Sequence, residues 1–342
     1  MERWSKEKAW AWWDRQPWMV GVNYVTSNAV NDIEMWMDDT FDADLIQKEL
    51  RCAESLGFNS VRVFLSYAVW KNEGKVFERN FERFLAMADA CHIRALPVLF
   101  DDCAFDDGLD PAYGRQPEPV YGVHNSRWVP SPGFSVQDDP AQMDLCEAYV
   151  AAIIGGHRED ARILAWDLYN EPGNTGRFGQ CLPFLEKSFL WARKAEPDQP
   201  LTTSAWDFSE KMEPVNAFLA ENCDIIGLHA YTPIERTREL LDAFEAYDRP
   251  IFVTEWLQRL RGNDYYGHLP LFYERKVGIW QWGMIVGKTQ TNLSWDTMGG
   301  GTPEPQPSVW QHDLIRADGT PFCEKEIEFL TAYTRRANER MK

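Results

Sequence analysis

Two glutamates close similar stretches of the chain. Glu171 ends the apolar run "ARILAWDLYNEP", and Glu255 ends "PIFVTEW", 84 positions later. Each run reads as a buried β-strand, and each glutamate sits where its strand emerges. An unpaired carboxylate is costly to bury, and Pro172 cannot extend a sheet. Both side chains therefore cap a strand in water or stand in a site. If the two strand ends open on one cavity, the pair suits cleavage of a glycosidic bond. One carboxylic acid protonates the leaving oxygen while one carboxylate faces the anomeric carbon. At a separation of about 5–5.5 Å the carboxylate attacks directly and the sugar keeps its configuration. The two roles need opposite ionisation at neutral pH. A neighbouring guanidinium favours the anion of one, and a drier setting raises the pKa of the other.

The elements that would position such a pair alternate along the chain. Strand-like runs span 18–24, 59–65, 94–100, 162–169, 200–206, 224–231, 250–256 and 277–283. Amphipathic helical segments lie between them. One covers 42–59, with Asp42 as cap and Gly57 as stop. Others cover 77–93, 139–157 (opening on Asp139-Pro140), 181–198, 209–223 and 234–248, and a last one covers 321–340. A segment at 265–276 is interrupted by Gly267 and Pro270. Eight such units predict a single-domain (β/α)8 TIM barrel over residues 1–342. No repeat, low-complexity tract or linker marks a second domain. Two loops are long, 101–138 after the third strand and 284–320 after the eighth. They carry Tyr113, Tyr121, Trp128, Trp295 and Trp310, which predicts ordered walls.

Chemistry in this fold sits at the C-terminal ends of the strands. Those ends carry Arg62 (second strand), Asn170-Glu171 (fourth), Trp206 (fifth), His229-Ala230-Tyr231 (sixth), Thr254-Glu255-Trp256 (seventh), and Trp280 and Trp282 (eighth). "WDLYNEP" is similar to the Asn-Glu-Pro motif of clan A retaining glycoside hydrolases, and "FVTEW" resembles their nucleophile motif. "VRVF", "HAY" and the eighth-strand tryptophan resemble the rest of that constellation, in order along nearly the whole chain. Within the clan the chain most resembles glycoside hydrolase family 5, the cellulase- and mannanase-like group. The resemblance implies that Glu171 is the general acid and then base, and Glu255 the nucleophile. It implies that Asn170 bonds the sugar 2-hydroxyl, that Arg62 holds Glu255 ionised, and that Tyr231 orients it. His229 would position Glu171 or the substrate, and Trp280 or Trp282 would floor the reacting subsite. Trp206 would contact substrate. No metal or cofactor is implied.

There are departures from the family pattern. The third strand ends in Asp101-Asp102, where the family often has histidine, so Asp102 is a candidate for gripping sugar hydroxyls. The first loop is rich in Asn23, Asn28, Asn31, Glu34 and Trp36. A rim built from Trp36 and Trp128 would narrow an open cleft to a pocket, which predicts short oligosaccharides cut from an end; the resemblance implies β-linked substrates of the gluco or manno type.

Composition bounds the alternatives. The net charge of −18 repels phosphate backbones and anionic membranes, so neither nucleic acid nor membrane is an expected partner. No apolar run reaches 18 residues, and the first residues lack a leader-like apolar core. Seven scattered cysteines without a C-x-x-C predict a reducing, cytoplasmic setting. Sixteen tryptophans suit stacking on sugar faces as well as core packing. A metal-dependent barrel hydrolase would want clustered histidines, which the six present do not offer. A xylan-type or transglycosylating enzyme, or a non-catalytic sugar-binding barrel, remains an alternative on the same residues. Oligomeric state has no signal here.

Overall fold

The computed structural model describes residues 2–105 and 110–339. Its strands are β1 (Val20–Tyr24), β2 (Ser60–Phe64), β3 (Arg94–Asp101) and β4 (Trp166–Asn170). They continue with β5, split by Thr203 into Leu201–Thr202 and Ser204–Ala205, then β6 (Ile226–His229), β7 (Ile251–Trp256) and β8 (Gly278–Trp282). Every pairing is parallel, and the order runs β5-β4-β3-β2-β1-β8-β7-β6-β5. The sheet begins and ends on the two pieces of β5, so it closes on itself at Thr203. This is the expected (β/α)8 barrel. The strands are buried along nearly their whole length, because the barrel fills one face and helices cover the other.

The expected caps act as caps. The Asp42 carboxylate accepts the Leu45 amide at 3.0 Å and starts the helix Ala43–Ser55, and Gly57 follows with φ +90. Asp139 accepts the Ala141 amide at 2.9 Å, but it caps a 3-10 turn, Pro140–Gln142, that precedes the α-helix Met143–Gly156. Tyr265–Glu274 is one helix despite Gly267 and Pro270. Asp264 caps it, and a β-carbon at Gly267 would meet Ile234 at 2.9 Å, so the glycine permits close packing.

The helix Lys6–Trp13 has no counterpart in the sequence reading. It closes the bottom of the barrel, where Trp4, Trp12 and Trp13 pack with Phe252, Leu96 and Trp280. Trp280 reaches the barrel axis because Gly21 leaves room: a β-carbon there would lie 2.3 Å from the indole.

At the top, the two long loops bind each other. The Asn125 amide donates to Thr289 O at 2.7 Å, His124 Nδ1 donates to Leu293 O at 2.8 Å, and the Glu304 amide donates to Gly122 O at 3.0 Å. Their described residues together wall part of the cavity, through two of the five expected aromatics. Trp128 and Trp295 face the cavity, whereas Tyr113 and Tyr121 are exposed and Trp310 stacks on Phe322. Residues 106–109 of the first of these loops lie outside the described residues.

Candidate active site

A cavity of about 400 Å³ opens at the C-terminal end of the barrel. It is lined by Glu171 and Glu255 together with Asn170, His229, Tyr231, Trp128, Trp206 and Trp282. The expected carboxylate pair therefore converges.

Local backbone explains how. Glu171 follows β4 with φ +43, so the chain turns sharply at the Glu-Pro-Gly step. Gly173 (φ +83) is required there, because a β-carbon would lie 2.6 Å from Phe178 O. The turn is tied down by Asp102, whose carboxylate accepts the Gly173 amide at 2.7 Å. On β7 the ladder to β6 is irregular: Leu228 pairs with Val253, but His229 pairs with Glu255. Thr254 is the extra residue. Such a bulge re-aims a side chain, here bringing Glu255 beside His229.

Arg62 is fully buried beneath the pair and makes four side-chain hydrogen bonds. Its Nη1 donates to Glu255 Oε1 and to Asn23 Oδ1, both at 2.8 Å; its Nε donates to Asp167 Oδ2 at 2.9 Å; its Nη2 donates to Asn170 Oδ1 at 2.7 Å. Tyr231 OH donates to Glu255 Oε2 at 2.7 Å. Glu171 is held differently. Asn174 Nδ2 donates to its Oε2, and His229 Nδ1 lies 2.9 Å from its Oε1 and 3.4 Å from Glu255 Oε2. Asn170 is gripped at both ends, since its Nδ2 also donates to Asp101 Oδ1 at 2.8 Å. One of its N–H bonds remains for a ligand.

Burial pushes the Glu171 carboxyl up, against the hydrogen bond from Asn174. It pushes Glu255 up as well, but the Arg62 guanidinium and the Tyr231 hydroxyl stabilise the Glu255 anion directly. Among the described residues no guanidinium or ammonium contacts Glu171, so less opposes the upward push of burial there than at Glu255. Burial takes His229 down to about 4, leaving it neutral at pH 7. One atom each of Glu171, His229 and Glu255 could meet around a cation, since all lie within 4.8 Å of one another. Arg62 and Tyr231 already occupy both Glu255 oxygens, and the guanidinium would repel a metal ion, so the set fits a proton and a sugar better.

Five expected site residues do not line the cavity; one is Arg62, which lies buried beneath it and touches Glu255 and Asn170 instead of substrate. Trp280 lies deeper in the barrel, with Nε1 donating to Ser60 Oγ at 3.0 Å. Trp282 is the eighth-strand tryptophan that faces the cavity, packed edge-on to Trp128 and Phe64. Asn23 lies under Glu255, donating to Thr254 O at 2.8 Å and Gln281 O at 3.1 Å while accepting from Arg62. Trp36 is in the core among Phe41, Phe77, Phe81 and Phe84, and the first loop buttresses the wall instead of forming its rim. In that loop Asn31 donates to Arg127 O at 2.9 Å, and Glu34 pairs with Lys288 at 2.8 Å. Asp102 is buried between Gln137, Tyr169 and the Gly173 amide, and so anchors the Glu171 turn rather than gripping sugar. Trp206 does face the cavity, with Nε1 donating to Pro172 O at 3.1 Å.

The two tryptophans of β8 should separate experimentally. Trp280→Ala empties a buried site and should cost about 3–5 kcal/mol of stability, read as a lower urea midpoint. Trp282→Ala should leave that midpoint nearly in place and weaken roughly tenfold the binding of a cavity ligand that stacks on its ring.

Sequence reasoning missed Asn174, Cys103, Asn125 and Arg261, which also line the cavity, whereas Trp295, expected in a loop wall, does line it. Asn174 was readable as a polar residue three positions past Glu171. The others come from loops whose placement depends on tertiary contacts.

No protein-family model matches the chain, and no curated protein matches it. Solved structures do match in fold. One is a GH5_18 protein from Streptomyces cattleya in complex with Manβ1-4GlcNAc, 14% identical with TM-score 0.64, covering 94% of this chain and 81% of that one. Another is an exo-β-1,4-mannosidase from Opitutaceae bacterium strain TAV5, 17% identical with TM-score 0.64, covering 94% of this chain and 60% of that one. A third is a glycoside hydrolase family 5 mannosidase from Rhizomucor miehei in complex with mannosyl-fructose, 14% identical with TM-score 0.59, covering 95% of each chain.

Proposed function

We propose that the chain is a retaining β-glycosidase of the family 5 kind, acting on short β-linked oligosaccharides of the manno or gluco type. The observation that carries this reading is the carboxylate pair: an oxygen of Glu171 lies within 4.8 Å of an oxygen of Glu255, at the mouth of a barrel. Inverting enzymes hold their carboxyl groups about 6.5–9.5 Å apart to admit a water, and facing oxygens within 4.8 Å favour the shorter, retaining spacing. The complexes with mannosyl sugars among the similar folds favour a manno substrate. The wall made by the two long loops favours a substrate entering end-on. Seven unpaired cysteines fit a reducing, cytoplasmic setting. Among the described residues no helix is long and apolar enough to cross a membrane.

In the first step Glu255 attacks the anomeric carbon. A C–O ester bond forms, the glycosidic C–O bond breaks, and Glu171 gives its proton to the leaving oxygen. Asn170 donates to the 2-hydroxyl, a bond that strengthens as the ring gains oxocarbenium character. In the second step Glu171, now ionised, takes a proton from water, whose oxygen displaces Glu255. Arg62 and Tyr231 stabilise the carboxylate that departs.

A panel of 4-nitrophenyl β-glycosides, followed by NMR of the first-formed anomer, tests the reading. Release of the β-anomer from a manno or gluco substrate is expected. The α-anomer would overturn retention, and no hydrolysis across the panel would overturn the glycosidase.

The pH profile should respond to Asn174. Turnover at low substrate requires Glu255 ionised and Glu171 protonated, so the alkaline limb reports Glu171. The Asn174 amide favours the Glu171 anion and holds its pKa down. Asn174→Ala removes that donor, so the alkaline limb of kcat/KM should move to higher pH. A limb that stays or moves lower contradicts the assignment.

A further inference from the structure

We propose that Arg261 makes the rim of this cavity a recognition site for an anionic group, so that the preferred substrates are glycosides carrying a carboxylate or a phosphate. The proposal rests on the glycosidase reading for its substrate and on Arg261 for its selectivity.

The Arg261 guanidinium lines the cavity and lies over the Trp295 ring, 5.0 Å from its centroid. Among the described residues it makes no ion pair and no side-chain hydrogen bond. Three other arginines are paired: Arg62 with Asp167 and Glu255, Arg177 with Asp138, and Arg259 with Glu326. Arg261 differs from them in standing exposed at the rim with its donors unused.

The backbone beneath it is held from several sides. The Gln258 side chain accepts the Arg261 amide at 2.6 Å and donates to Gln311 Oε1 at 3.1 Å. Asn263 accepts the Gln258 amide at 2.8 Å and donates to Thr232 O at 2.6 Å. Arg259 donates to His312 O at 2.8 Å as well as to Glu326. The turn therefore fixes the backbone from which the exposed Arg261 side chain reaches the rim and rests on Trp295, leaving its planar fork of donors open to an oxyanion.

Charge within the cavity points the same way. Glu255 is matched by Arg62, burial pushes the Glu171 carboxyl up, and burial leaves His124 and His229 neutral, each down to about 4. Among the described lining groups Arg261 is the cation with no carboxylate partner. A positive spot inside a chain of net charge −18 attracts anions at short range, where low-dielectric walls focus the field.

The test compares kcat/KM for an aryl β-glycoside, its 6-phosphate and its uronate, on the full chain and on Arg261→Gln. The wild type should prefer one charged substrate over the neutral one by roughly tenfold or more, the preference should shrink with added salt, and Arg261→Gln should abolish it. Preference for the 6-phosphate alone identifies phosphate as the ligand, and preference for the uronate alone identifies carboxylate. A neutral glycoside cleaved as well as both, or a preference surviving Arg261→Gln, overturns the proposal. If no glycoside is cleaved, the glycosidase reading has failed on its own. Calorimetric binding of mannose 6-phosphate and glucuronate then decides the rim: binding lost in Arg261→Gln supports it, and absent or unchanged binding overturns it.

Discussion

Glu255→Ala should lower kcat by on the order of 10⁴-fold or more, and added azide should restore turnover as a glycosyl azide of inverted configuration. The first part follows from removing the atom that forms the covalent intermediate in the proposed mechanism. The second follows from geometry. Azide can enter the space that the carboxylate leaves and attack the anomeric carbon from the same face. One displacement replaces two, so the configuration inverts once. The fold should survive, because Arg62 keeps Asp167, Asn170 and Asn23 as partners. Far-ultraviolet circular dichroism distinguishes a dead site from an unfolded chain. A folded variant with wild-type turnover contradicts the assignment.

Glu171→Ala should be selective in its damage. Cleavage of an oligosaccharide, whose leaving oxygen must be protonated, should fall by about 10²–10⁴-fold. Glycosides with a nitrophenolate leaving group need no proton at that step, so the formation of their glycosyl-enzyme should suffer far less. Comparing kcat/KM for the two substrate types isolates that step. Equal losses on both, or no loss on the oligosaccharide, would remove Glu171 from the role of acid.

The barrel was legible because a parallel sheet covered on both faces writes itself as short apolar runs separated by amphipathic helices. Its two glutamates were legible because each follows such a run directly. Depth along a strand was not. Trp280 and Trp282 share one face of β8, and two residues of rise, about 6.6 Å, separate the barrel interior from the cavity. Periodicity alone gives no way to choose between them. Asp101 and Asp102 show the complementary effect. Adjacent side chains leave a strand on opposite sides, so Asp101 turns to Asn170 and Trp128 while Asp102 turns to Tyr169 and the Gly173 amide. Trp36 misled for another reason. Its loop folds into a short helix, Asp32–Trp36, that docks on the helix Lys75–Asp89, and the indole is consumed in that contact. The bottom helix, Lys6–Trp13, was hidden because its aromatic residues pack against the barrel floor and leave no regular apolar stripe. Arg261 carried no signal of its own beside Arg259. Only the ion pair of one and the free guanidinium of the other tell them apart.

Trapping with a 2-deoxy-2-fluoro β-glycoside bearing a good leaving group, followed by proteolysis and mass mapping, addresses the catalytic pair most directly. Fluorine slows both steps by disfavouring positive charge on the ring, and the activated leaving group lets the first step outrun the second. A fluoroglycosyl ester on Glu255, released on adding an acceptor, is the predicted result. A label on another residue, or none from any manno or gluco reagent while the parent glycosides are cleaved, would contradict it.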